Sequence, residues 1–182
     1  MGESPITAQY RDAAIQRAIK SALRQDPRLP IIALGAFLTP SALRALKRTA
    51  SEGWRRTGVP DRGLYAVRSP RTALQREIRA YVRALTRSTT VQEPDRRFGH
   101  RDFTLLHDHE QPKPGWRAFL FLDDLPAECG GQLVFSADGE TLGTFTPREN
   151  TLLLVRQRRG VHSFVQYVNH RAGKRTVRIL SC

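Results

Sequence analysis

Apolar side chains in residues 6–25 recur at helical spacing. Ile15, Ile19, Ala22 and Leu23 fall on one face, and Pro27 and Pro30 end the pattern. "PIIALGAFL", residues 30–38, then reads as a buried strand. "TPSALRALKRTA" predicts a second helix, with Thr39 as N-cap and Pro40 at the first helical position, where its missing N–H costs nothing. Leu74, Ile78, Tyr81, Val82 and Leu85 predict a third, amphipathic helix over 71–86.

After Ser88 the period falls from 3.6 residues to 2. "DFTLLHDH", "WRAFLFLDD", "GQLVFSADG", "TLGTFT", "NTLLLVRQ", "HSFVQYV" and "KRTVRILS" are short β-type runs. "PKPG", "CGG", "ADGE", "PREN", "RRG" and "NHRAG" divide them as turns. The first half is therefore expected to be mainly helical and the second all strand. Residues 98–182 should form an antiparallel barrel or sandwich with the helices packed outside it. No internal repeat or low-complexity linker interrupts the chain. A single domain over 1–182 is expected, with helical support in 1–88 and a β core in 89–182.

The chain has 182 residues, ample for one domain with a real core. No apolar run approaches the roughly 20 residues of a membrane span. The start, "MGESPITAQYRD", lacks a charged-then-apolar leader, and Cys129 and Cys182 are too few for a disulfide framework. These features lead to the expectation of a reducing, cytoplasmic setting without a membrane. The net charge is +13, and apart from Lys20, Lys47, Lys113 and Lys174 every basic residue is arginine. Such a field attracts acidic partners or nucleic acid. The bland alternative is arginine spread over all solvated faces, since no five stand in a row.

All five histidines lie between His100 and His170. In a strand, residues i and i+2 share a face, so His107 and His109 of "LLHDHE" project together and Asp108 points away. His162, in "GVHSF", lies on a late strand that intervening hairpins could bring alongside. Imidazole nitrogens suit iron, zinc, copper and nickel, so a metal centre and a surface histidine cluster are both open readings. His170 has the same parity as His162 and is the alternate distal ligand, but "NHRAG" reads as a turn. His100 reads as a loop residue, Asp123 and Asp124 as a solvated turn, and Gly130–Gly131 as the turn before a strand. Trp116 and Phe119 read as core.

The ordered pieces "DFTLLHDH…WRAFLFLDD…CGGQLVF…TPRENTLLLV…GVHSFVQYV…GKRTVRI" resemble the iron(II)- and 2-oxoglutarate-dependent oxygenases in their prolyl-hydroxylase-like branch, over roughly residues 98–182. "PIIALGAFLTPSALRAL" also resembles the strand and helix that precede that core. The resemblance implies a double-stranded β-helix (jelly-roll, cupin-like) within an α+β, mainly β, chain. It also implies Fe(II) and 2-oxoglutarate as cofactors, and oxidation of an unidentified small molecule, peptide or nucleic acid. His107 matches the first metal ligand, His162 the distal one, and Arg175 the residue that holds the far carboxylate of 2-oxoglutarate. A guanidinium can bind that group bidentately. Arg178 is the weaker candidate, being on the opposite face of the strand. The departure is His109, where the family's pattern has a carboxylate. Three readings follow: a three-histidine centre, a bulge that turns Asp108 inward, or a non-catalytic domain that binds nucleic acid or a partner protein through its basic surface.

Overall fold

The computed structural model describes residues 4–25, 28–59, 63–69, 72–91, 93–105 and 113–182. The first periodic segment forms two helices, α1 (Ala8–Arg11) and α2 (Ala13–Gln25). Asp12 breaks it: its Oδ1 accepts from the backbone N–H groups of Ala14 and Ile15 and so caps α2. β1 (Ile31–Leu34) follows, then α3 (Pro40–Thr49), where Thr39 caps through Oγ1 as the sequence predicts. α4 (Ala73–Thr86) opens with a reciprocal capping box between Thr72 and Gln75.

The first half is not only helical: β2 (Arg55–Val59) and β3 (Gly63–Arg68) form a hairpin. In the second half β4 (Asp95–Phe98) is a strand three-quarters charged in sequence. The remaining strands are β5 (Phe103–Thr104), β6 (Gly115–Phe121), β7 (Leu133–Ala137), β8 (Glu140–Phe145), β9 (Thr151–Gln157), β10 (His162–Val165) and β11 (Val177–Ser181). One sheet runs β1-β9-β6-β11-β4-β3-β2 with β5 against β3, and a second runs β10-β7-β8, every pair antiparallel.

The large sheet is buried on both faces, which explains why "AFLFL" and "TLLLV" are continuous apolar runs rather than alternating ones. Ala118, Leu120, Leu152, Leu154 and Leu180 face the helices, against Ile19, Leu23, Ile78, Val82 and Leu85. Phe119, Phe121, Leu153, Val155, Val177 and Ile179 face the small sheet, against Leu133, Phe135 and Val165. Asn150, at φ +56°, joins the layers: its Oδ1 accepts from Leu38 N, its Nδ2 donates to Leu38 O, and its own carbonyl accepts from Phe37 N. Asparagine tolerates this left-handed conformation better than most residues.

A fully buried polar clamp ties α4 to the sheet. Asp95 accepts from Gln75 Nε2 at 2.9 Å, from Ser181 N at 3.0 Å and from Arg68 Nη2 at 2.9 Å. Burial raises the Asp95 carboxyl above its ordinary range, and the bonds from Arg68, Ser181 and Gln75 oppose that rise.

Candidate functional site

The two sheets face each other across the inner core, and one end of that space is polar. Arg96, Arg117, Gln157 and Ser181 lie on strands β4, β6, β9 and β11 with the parity of the inner-core residues Phe98, Val155 and Ile179. Glu93 pairs with Arg117 Nε at 2.7 Å and with Arg96 Nη2 at 3.2 Å. Its backbone N–H donates to Ser181 Oγ. Three polar atoms here are buried without a partner: Arg96 Nε, Arg117 Nη1 and Gln157 Oε1. Two of these are donors, Arg96 Nε and Arg117 Nη1, on the two arginines that share Glu93, and Gln157 Oε1 is an acceptor. Buried donors are rarely left so, and the two arginines leave room in the hydrogen-bond account for a further acidic group. The sequence reading passed over these residues. The signal was Arg117, a lone charge inside the apolar run "WRAFLFL".

Arg117 carries a testable cost. Its side chain is 4 % exposed, and Glu93 would keep Arg96 as a partner without it. Burying a charge without full compensation is expensive, and a well-packed apolar replacement is often neutral or better. Arg117→Met is therefore expected to leave stability unchanged or raise it by up to about 1–4 kcal/mol in urea unfolding. A loss of more than about 2 kcal/mol would contradict the assignment of Arg117 as an under-satisfied group.

His107, Asp108, His109 and Glu110 lie outside the described residues. The approach to them is described. Asp102, nearly fully buried, accepts both guanidinium nitrogens of Arg56 and the Gly99 N–H, which pins the turn before β5. Thr104 Oγ1 then accepts from Val165 N at 2.6 Å, so β5 lies beside β10. His162 opens β10 and is half-buried. Ser163 stands opposite Phe135 and Val165 opposite Leu133, all in register with the inner core, so His162 and Phe164 occupy the other face of that strand. His170 sits exposed in a short 3-10 turn, His170–Ala172, in keeping with the turn reading of "NHRAG", and His100 is exposed in a turn. Among the described residues no three His, Cys, Asp or Glu side chains are grouped to hold a metal.

The two arginines separate clearly. Arg178 is committed to Asp123, with Nε–Oδ2 at 2.8 Å and Nη2–Oδ1 at 2.6 Å, and donates to the Lys47 carbonyl. Asp123 is therefore an ion-pair partner rather than a solvated turn residue, and Asp124 caps the Glu149 N–H. Arg175 is exposed just ahead of β11, two residues before inward-facing Val177, and makes no ion pair among the described residues. Gly130 and Gly131 form the turn before β7, both at φ +75°; a Cβ on Gly130 would strike the Tyr167 carbonyl.

No protein-family model and no curated protein matches the chain. Solved structures do. A prolyl-4-hydroxylase from Pseudomonas putida superposes with a TM-score of 0.63 at 16% identity, covering 92% of this chain and 96% of that one. A prolyl hydroxylase from Trichoplax adhaerens, in complex with a hypoxia inducible factor oxygen degradation domain peptide, gives 0.62 at 12%, covering 92% and 87%. The chain has the prolyl-hydroxylase fold. A 2OG-Fe(II) oxygenase family oxidoreductase from Burkholderia pseudomallei gives 0.61 at 16%, covering 90% and 88%. In this prolyl-hydroxylase fold the two facing sheets are the double-stranded β-helix core, as expected, and the helices pack on the outer face of the larger sheet. No helix among the described residues is long and apolar enough to cross a membrane.

Proposed function

We propose that this protein is an iron- and 2-oxoglutarate-dependent oxygenase that carries His-x-His in place of the usual His-x-Asp. The observation that carries the reading is the Thr104–Val165 hydrogen bond, in a fold shared with such enzymes. Thr104 precedes His107 by three residues and Val165 follows His162 by three, so the chain that leads into "HDH" runs beside the strand that bears the distal histidine. Imidazoles fit iron, and His107, His109 and His162 are the set proposed, with Asp108 and His170 as alternates. Bound iron and 2-oxoglutarate would supply the oxidising chemistry. The protein's own part is to hold and orient them and to keep water out. The unpartnered buried donors of Arg96 and Arg117 suit a site that receives an acid, and Arg175 is the group proposed for the far carboxylate. The substrate class is not narrowed by this fold, since one fold hosts many chemistries.

The test is calorimetry with 2-oxoglutarate on metal-loaded protein, paired with succinate formation. Binding is expected, and Arg175→Ala should weaken it at least tenfold, since a charge-assisted hydrogen bond contributes roughly 1.5–3 kcal/mol. Wild-type affinity in Arg175→Ala would reject that residue. No binding to wild type or to His109→Asp would reject the enzyme reading.

A second reading is favoured by the register of β10. His162 lies on the face away from the inner core, and Phe98, Phe119, Phe121 and Phe135 fill much of that core. A β-helix that has kept its fold and lost its chemistry would show both features. Its role would be binding, through the basic surface.

A further inference from the structure

We infer that the cleft between α2, the end of α4 and the outer face of β9 is a binding site for single-stranded nucleic acid. The inference is independent of any metal or co-substrate. The cleft has a volume of about 750 Å³. Six cations line it: Lys20 and Arg24 from α2, Arg87 from the C-terminal cap of α4, Arg156 from β9, and Arg158 and Arg159 from the turn that follows. Among the described residues that line it there is no Asp or Glu.

On the sheets several arginines are engaged by acids: Arg56 by Asp102, Arg68 by Asp95, Arg117 by Glu93 and Arg178 by Asp123. The cleft instead gathers cations from two helices, a strand and a turn into one concave space. Lys20, Arg24, Arg87, Arg156 and Arg158 make no ion pair among the described residues. Helix C-termini favour nearby cations, which accounts for Arg24 and Arg87. It does not account for Arg156 and the turn arginines, which come from a strand and a loop. Converging like charges repel, and a polyanion relieves that repulsion by releasing its own counterions.

The cleft also discriminates among polyanions. Trp116 stands directly opposite Arg156 in the β6–β9 ladder; it packs partly against the helix-side core and lines the cleft, half-buried, where its remaining surface would serve a stacked base. A cationic groove with an aromatic platform is how single strands are held without sequence preference. The volume lies within the roughly 300–1,000 Å³ of sites that enclose small ligands, which suits a short stretch of unstacked bases.

The experiment is fluorescence anisotropy with a labelled single-stranded oligonucleotide across a salt series. Wild type should bind at low salt. Arg24→Ala/Arg156→Ala/Arg158→Ala should weaken binding at least tenfold and flatten the log–log salt slope by about 2, at ~0.7 for each phosphate no longer neutralised. Arg44→Ala/Arg48→Ala/Arg76→Ala removes the same charge from exposed positions outside the cleft and should change affinity less than about twofold. In a Trp54→Phe background, Trp116 fluorescence should be quenched on binding. The inference is overturned by absence of binding at low salt, or by equal loss in the two triple variants. An unquenched Trp116, or displacement by polyglutamate as effective as by unlabelled oligonucleotide at equal charge, would also overturn it. The last outcome would assign the cleft to acidic protein segments.

Discussion

Asp95→Ala is expected to lower the free energy of unfolding by about 3–5 kcal/mol, the cost of leaving a buried ion pair without one partner. Asp95 is fully buried, and Arg68, its partner, is itself mostly buried. Removing the carboxylate leaves the buried Ser181 N–H unpaired and takes from Gln75 Nε2 one of its two acceptors, the Ser181 carbonyl remaining. Arg68 keeps the Thr49 carbonyl and its place over the Trp54 ring, 5.1 Å from the centroid, so its loss is partial. A domain of this size shifts by about 2–4 °C per kcal/mol, so thermal unfolding should fall by roughly 6–20 °C. A drop under 2 °C would show that the clamp contributes nothing. The pH dependence has a definite sign. Burial holds the Asp95 carboxyl above its unfolded value, so the folded chain binds this proton more tightly than the unfolded one. The stabilisation from that proton is absent well above the folded pKa. It appears as pH falls through the folded pKa and is complete below the unfolded value of about 4. The deficit of Asp95→Ala relative to wild type should therefore widen between pH 7 and pH 4; a deficit that narrows would contradict the direction.

His107→Ala is expected to abolish metal binding altogether. The site proposed has three protein ligands, and a centre that must leave positions for co-substrate and oxygen has none to spare. Iron or zinc content after dialysis is the measure, and undiminished content in His107→Ala would refute the assignment. His162→Ala separates the two functional readings. Equal loss of metal places His162 in the centre despite the face it occupies in β10. Full retention with His170→Ala defective would transfer the distal role to the turn histidine. Retention in all three variants would leave the histidines as surface groups.

The helices were legible because each buries one stripe, and the strands after Ser88 because turn residues punctuate them. Thr39, Pro40, Gly130 and Gly131 act locally, and the sequence shows such roles directly. The β2–β3 hairpin and β4 were not legible. "RRTGV" and "DRRF" show no apolar alternation because their charges find partners far along the chain: Arg56 with Asp102, Asp95 with Arg68, Arg97 over Trp54 at 5.4 Å. Once paired across strands, a charge can occupy a sheet position that alternation reserves for apolar residues. The same blindness hid the role of Asp123, whose partner Arg178 is on the last strand. For the site, parity separates Arg175 from Arg178 in the sequence, and Arg178, on the helix-facing side of β11, is committed to Asp123. Parity on β10 was not legible, because Val161, Ser163 and Val165 fit an inward face as well as His162 and Phe164 do.

The position of β11 has a consequence for how the molecule is made. It lies between β4 and β6, so residues 177–181 alone join the half-sheet β2-β3-β4 to the half-sheet β1-β9-β6. Before those residues are available, the growing chain carries two half-sheets with bare edges at Asp95–Phe98 and Gly115–Phe121, the second bearing Phe119 and Phe121, which the finished core buries. Such edges pair with other chains. Closure over so long a sequence separation is slow, which prolongs the hazard. Nascent chains arrested before residue 177 should therefore be captured by holdase chaperones, and release should coincide with emergence of "VRILS" from the ribosome.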